Sequence, residues 1–127
     1  GVLPKPMAGL MNEFKRGDVV LVNLKPVIGS EQCGKSRPGL VVSPDALNGV
    51  FRGIIVLPIT DAQHLKQSEL GLTFLPAGEG GLNKDSLAIA FQVRMIDKGR
   101  VIRRLGNISK EFMLEITDSL KAVLDIP

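Results

Sequence analysis

Residues 18–24 read Asp-Val-Val-Leu-Val-Asn-Leu. The run is apolar and rich in β-branched side chains, which pack well on a pleated surface, so it predicts a strand. The twelve residues that follow, 25–36 (KPVIGSEQCGKS), hold a proline, two glycines and mixed charge. They predict a loop long enough to carry function. Residues 39–43 (GLVVS) predict a second strand, closed by Pro44, and 45–52 a turn or short helical piece. Residues 53–59 (GIIVLPI) are apolar on both faces and predict a buried strand, with Pro58 implying a bulge or a sheet edge near its end. A polar loop over 61–69, a strand over 70–75, a glycine-rich turn region over 76–85, and strands over 86–93 and 99–105 complete the β portion.

The C-terminal pattern changes period. Ser109 can cap a helix, Glu111 suits its first turn, and Ile108 with Met113 match a hydrophobic staple. Met113, Ile116, Leu120, Val123 and Leu124 then form an apolar stripe at helical spacing. The expected fold class is therefore mostly β, a mainly antiparallel sheet with one C-terminal α-helix packed on it. So many short strands in so small a domain suggest a compact, strongly curved barrel.

The chain has 127 residues, 44% apolar and 23% charged, the proportions of one globular domain with a core of its own. Residues 11–127 are read as that single domain. Residues 1–10, with two prolines and two glycines, are read as an extension outside it. Cys33 is the lone cysteine, so no disulfide can form within the chain, which fits a reducing cytoplasm. No apolar run approaches the length of a membrane span. A net charge of +3 permits a polyanionic partner without demanding one. With no Trp, no Tyr and five Phe, a broad aromatic stacking platform is not expected.

The available chemistry is narrow. His64 is the single histidine, which excludes a two-histidine acid–base nuclease and a Cys/His zinc site. Asp18, Glu31, Asp61 and Asp85 are scattered rather than clustered as Mg²⁺ ligands are, and no P-loop is present. Neither a metal nor a cofactor is expected. Arginine, lysine, hydroxyl and backbone chemistry remain. That set suffices to cleave RNA, whose 2′-hydroxyl is an internal nucleophile, because a guanidinium makes bidentate contact with phosphate. Composition alone does not single out a nuclease.

Particular residues do. Lys15-Arg16-Gly17-Asp18-Val19-Val20 is followed by Pro26-Val27-Ile28-Gly29-Ser30-Glu31-Gln32-Cys33-Gly34 and Arg37-Pro38-Gly39-Leu40-Val41-Val42. This resembles the R-G-D/E…P-x-x-G-S-E-Q-x-G-x-R-P pattern of MazF/PemK toxins, with one extra residue, Lys35 or Ser36, before Arg37. Val56-Leu57-Pro58-Ile59-Thr60 looks like the strand that ends in the family's active-site threonine. Asp85-Ser86-Leu87 and Gln92-Val93-Arg94-Met95-Ile96-Asp97 resemble two further family segments. The likeness runs from Arg16 to about Leu124.

The resemblance implies an SH3-like β-barrel of the PemK/CcdB kind with a C-terminal helix, acting as a homodimer. It implies metal-independent, sequence-specific cleavage of single-stranded RNA that leaves a 5′-hydroxyl and a 2′,3′-cyclic phosphate. It also implies a MazE-like antitoxin whose extended acidic tail occupies the RNA groove. Carried over by position, Arg37 is the lead catalytic residue, Thr60 its partner, and Glu31 the nearby carboxylate for proton transfer. Lys25, Ser30, Gln32, Lys35 and Gln92 are the expected RNA-binding residues. One branch of the family carries an Arg-x-Asp pair just before this glutamine. Here Ile89-Ala90-Phe91 stand there, so that pair cannot operate. Phe91 is either a base-stacking residue or part of the core.

Duller readings exist for each residue. Arg37 could be a strand-entry charge, Thr60 a strand-end hydrogen bond, and Arg103 and Arg104 a solvated edge that discourages strand pairing. Two other functions share the fold or its surface: a gyrase poison like CcdB, whose action depends on a C-terminal tryptophan that this chain lacks, and a noncatalytic barrel that binds RNA or peptide.

Overall fold

The computed structural model describes residues 14–23 and 35–127. In chain order the elements are β1 (Asp18–Asn23), β2 (Ser36–Val41), α1 (Asp45–Asn48), β3 (Gly53–Asp61), β4 (Leu72–Leu75), β5 (Ser86–Ile89), β6 (Arg94–Asp97), β7 (Val101–Asn107) and α2 (Lys110–Leu124). The strands form one sheet in the order β4-β5-β3-β2-β1-β7, with β6 also paired to β3. All pairings are antiparallel. The mostly β reading with a C-terminal helix is therefore correct. The expected extension at 1–10, and Lys25, Ser30, Glu31, Gln32 and Cys33, lie outside the described residues.

Alternation along the central strands sends side chains to two cores. Val19, Leu40, Leu57 and Ile59 join Leu75, Ala88, Ile108 and Ile116 on the face covered by α2. Val20, Val22, Val41, Ile54 and Val56 join Phe14, Ile96 and Val101 on the opposite face. Apolar residues at consecutive positions of β1 and β3 thus reflect a sheet buried on both sides.

The helix forms as its caps dictate. Ser109 Oγ accepts a hydrogen bond from the Phe112 N–H at 3.4 Å. At the other end Asp125 takes a left-handed conformation (φ 57°) and the Ile126 N–H returns to the Lys121 carbonyl at 2.8 Å. Ile116 is the fully buried centre of the stripe, and Phe112, Met113, Leu120 and Val123 pack around it. Leu124, expected in the stripe, is the last residue of the helix and is 54% exposed instead. Ser109→Ala is expected to lower stability by about 1 kcal/mol, read as a fall in the urea midpoint with an unchanged slope.

Most strand boundaries differ from expectation, and three of the differences bear on the site. The second strand begins at Ser36 rather than Gly39, and the third runs on to Asp61 rather than stopping at Ile59. Both extensions place candidate site residues within strands. The expected strand over 86–93 ends at Ile89, and β6, a strand that was not expected, follows at Arg94–Asp97; β5 and β6 lie end to end on one edge of β3. Ala88 pairs with Ile59 and Arg94 with Val56, so one chain advances six residues while the other advances three. The surplus is taken up by a 3₁₀ turn over Ala90–Gln92.

The barrel is a correction. The sheet curls but does not close, since among the described residues no ladder joins β4 to β7. A turn between β4 and β5 bridges the gap. Gly80 and Gly81 hold positive φ (61° and 78°) and lie directly on the β7 backbone. A Cβ on Gly81 would sit 2.1 Å from the Leu105 carbonyl oxygen, and one on Gly106 would sit 2.6 Å from the Gly80 carbonyl carbon. The neighbouring Glu79 carboxylate accepts a hydrogen bond from the Ser109 N–H, tying this seam to the start of α2.

Candidate active site

Period-two alternation decides which side chains meet. Val22 stands opposite Arg37. Gly39 stands opposite Pro58, and Val41 opposite Val56, across β2 and β3. Carrying that register two residues further brings Arg37 level with Thr60. Val56 in turn stands opposite Arg94. Directly paired and i±2 residues share a face, so Arg37, Thr60 and Arg94 all project from the face opposite α2. There they border a cleft of about 310 Å³ whose walls also include Val22, Gly39, Pro58, Ile89, Gln92 and Ile96. Its floor is apolar and its polar groups are few, the usual composition of a ligand site.

Of the expected site residues among those described, Arg37, Thr60 and Gln92 line this cleft. Gln92 reaches it because the 3₁₀ turn at Ala90–Gln92 crosses the middle of β3, between the stretches paired with β5 and β6. Lys35 is exposed just before β2 and is not among the cleft residues. Arg94 was not selected from sequence, although it stands in the quoted Gln92–Asp97 segment; the signal available was its position two residues after Gln92, on the same strand edge. Phe91 belongs neither to the cleft nor to the core. It is 58% exposed, with its ring lying against the position a Gly71 side chain would occupy, next to Val123.

The remaining arginines are largely occupied elsewhere. Arg16 turns inward: Nη2 donates to Thr117 Oγ1 at 2.9 Å and Nη1 to the Val42 carbonyl. Arg52 pairs with Asp97 at 3.5 Å. Arg104 is not merely an edge charge, since it pairs with Asp18 at 3.2 Å. Asp18 is 1% exposed and also accepts hydrogen bonds from the Lys15 N–H and Asn107 Nδ2, each at 2.9 Å. The Arg-Gly-Asp run is thus structural: Arg16 ties β1 to α2, Gly17 turns at φ 96° with its N–H on the Val41 carbonyl at 2.8 Å, and Asp18 anchors β7. By contrast, Arg37 and Arg94 make no ion pair with any described carboxylate. Two unpaired guanidiniums on one cleft face form a site for anions.

Beside the cleft the loop after β3 is pinned to the turn before β5. Lys66 pairs with Asp85 at 2.9 Å, Lys84 with Asp61 at 3.8 Å, and the Ala62 N–H donates to the Asp85 carbonyl at 2.9 Å. The Ala77 N–H hydrogen bond and the Lys66 ammonium hold the Asp85 carboxyl below the usual carboxylate range. A depressed native pKa stabilises the fold above the unfolded value, and that contribution is lost as pH falls through the native one. Asp85→Asn is therefore expected to lower the urea midpoint at pH 7 and to make progressively less difference below pH 4; an equal deficit at pH 3 would show that the charge is not responsible. His64 in this loop is exposed, and Ser86 Oγ is occupied by the Lys84 carbonyl at 2.8 Å. Among the described residues no three His, Cys, Asp or Glu side chains converge as metal ligands do, and no helix is long and apolar enough to cross a membrane.

Known proteins are similar to this chain along nearly its full length. Endoribonuclease EndoA of Bacillus subtilis is 36% identical over 110 residues, covering 87% of this chain and 93% of that protein. Endoribonuclease toxin ChpB of Escherichia coli is 35% identical over 115 residues, covering 90% and 97%. Among solved structures, a MazE–MazF complex from Deinococcus radiodurans superimposes with a TM-score of 0.73 at 28% identity, covering 90% of this chain and 97% of that one. The model of the PemK-like, MazF-like toxins matches residues 15–124. With the Arg37–Thr60 cleft face on one side of the curled sheet and the capped helix on the other, the chain belongs to the PemK-like, MazF-like toxin family of type II toxin–antitoxin systems.

Proposed function

We propose that this protein is a sequence-selective endoribonuclease toxin that cuts single-stranded RNA without a metal, with Arg37 and Thr60 as its catalytic residues. The observation that carries the reading is their convergence in the cleft, with no described carboxylate on Arg37. In the reaction the RNA 2′-oxygen forms a bond to the adjacent phosphorus and the bond from phosphorus to the 5′-oxygen breaks. The 2′-hydroxyl proton passes to a base, and the departing 5′-oxygen takes up a proton. The products are a 2′,3′-cyclic phosphate and a 5′-hydroxyl. A guanidinium stays protonated, so Arg37 acts on the charge that builds on the phosphoryl oxygens, where preorganised donors are most effective. Thr60 Oγ1 adds a further hydrogen bond. Glu31 is the proposed proton acceptor, and Lys25, Ser30, Gln32, Lys35 and Gln92 the proposed RNA contacts.

Residues 11–127 are proposed to be the toxin domain, acting in the cytoplasm as a homodimer. The Deinococcus radiodurans structure is a complex of MazE with MazF, which supports an antitoxin partner here as well. Two unpaired arginines in the cleft suit an acidic peptide as they suit RNA.

The test is incubation of the purified protein with a long single-stranded RNA in EDTA, with the cut ends mapped. Cuts confined to one short sequence are expected, with 5′-hydroxyl ends. Inhibition by EDTA would overturn the metal-free mechanism, and an intact RNA would overturn the ribonuclease reading.

A further inference from the structure

Arg37 and Arg94 line one cleft face at different levels along β3. Arg37 lies level with Thr60 on one side of β3, whereas Arg94 is paired opposite Val56 on the other. Four residues of β3 separate those levels, about 13 Å at the rise of an antiparallel strand, and two strand spacings across the sheet add about 10 Å. The two Cα atoms are therefore roughly 16 Å apart. Side chains stand roughly perpendicular to a sheet, so the two guanidiniums address different points along any strand lying in the cleft. Arg94 is exposed, it has no described carboxylate partner, and the apolar floor of Val56 and Pro58 runs between it and Thr60.

We propose that Arg94 grips a backbone phosphate of the bound RNA other than the scissile one, so that it sets affinity and register while Arg37 serves the chemistry. The inference rests on the ribonuclease reading above, and it assigns the cleft a length: the site holds more than the dinucleotide that is cut. Phosphate contacts position a nucleic acid without reading its bases, so the loss of Arg94 weakens all target strands alike.

The experiment uses a target RNA whose 2′-hydroxyl at the cut is replaced by hydrogen, so that it binds without being cleaved. Its affinity is titrated against salt for the wild type, Arg94→Gln and Arg94→Lys. For a single-stranded ligand each phosphate neutralised contributes about 0.7 to the slope of log K against log salt. Arg94→Gln is expected to reduce the slope by that one contact and to weaken binding by roughly tenfold, the scale of one charge-assisted hydrogen bond. Arg94→Lys is expected to restore the slope. With cleavable RNA, Arg94→Gln is expected to raise KM and leave kcat unchanged at saturation. Shortening the RNA stepwise from each end is expected to reveal one truncation that weakens the wild type and leaves Arg94→Gln unaffected, because both changes remove the same contact. An unchanged slope and KM in the folded variant would overturn the proposal, as would a loss confined to kcat. A wild type that binds with this slope but never cuts would remove the ribonuclease reading and leave the Arg94 contact standing.

Discussion

Arg37→Ala is expected to abolish RNA cleavage in practice while leaving the protein folded. Arg37 is exposed near the start of β2 and bonds to no described carboxylate, so among the described residues its truncation removes no buried contact and leaves no orphaned charge. Removing one preorganised donor to a developing oxyanion lowers kcat by about 100- to 1000-fold. A guanidinium that makes two contacts to phosphate belongs at or above the upper end of that range. Thr60→Ala removes one neutral hydrogen bond and is expected to slow cleavage by about tenfold. Arg37→Lys keeps the charge and loses the planar fork, so it should remain well below wild type. The measurement is single-turnover cleavage of one target RNA, with circular dichroism and urea unfolding on the same preparations. An Arg37→Ala protein with a native melt and a native rate would remove this residue from the mechanism.

The largest effect on stability is expected at Gly81. Its φ of 78° is one that side chains rarely adopt, and an added Cβ would lie 2.1 Å from the Leu105 carbonyl oxygen. A residue held in the left-handed region costs about 1–3 kcal/mol, and forcing bulk into a closed contact adds about 1–3 kcal/mol. Gly81→Ala is therefore expected to lose about 2–6 kcal/mol, a large part of the 5–15 kcal/mol typical of a domain. Gly78 supplies the control. It too has a positive φ, 98°, but a Cβ there would meet nothing within 4 Å. Gly78→Ala should show the conformational strain alone, and the difference between the two urea midpoints measures the contact that bridges the sheet's open edges. Equal losses at the two positions would mean that the backbone contact between this turn and β7 contributes nothing.

Much of this molecule was legible from residue order. Period and composition located every strand but β6, because β-branched runs between turn residues carry their own signal. The C-terminal helix was legible in more detail, since Ser109, Glu111 and the stripe centred on Ile116 are local features that act within a few residues of chain. Arg37, Thr60 and Gln92 were nameable through the family pattern, which records order along the chain and needs no geometry.

Other features are properties of the fold. That β2 starts at Ser36 and β3 continues past Pro58 depends on neighbouring strands supplying hydrogen-bond partners, which no local propensity encodes. That Arg16 and Asp18 serve β7 and α2 rather than RNA depends on contacts with Arg104, Asn107 and Thr117, which lie 86 to 101 residues away in the chain. Whether the sheet closes was settled by a turn of glycines seated on the β7 backbone, where only the absence of a Cβ lets two main chains touch. Arg94 enters the cleft for the same kind of reason. The three surplus residues of the 3₁₀ turn set its register against Val56, and in a pleated sheet a register shift of a single residue would have turned it to the other face.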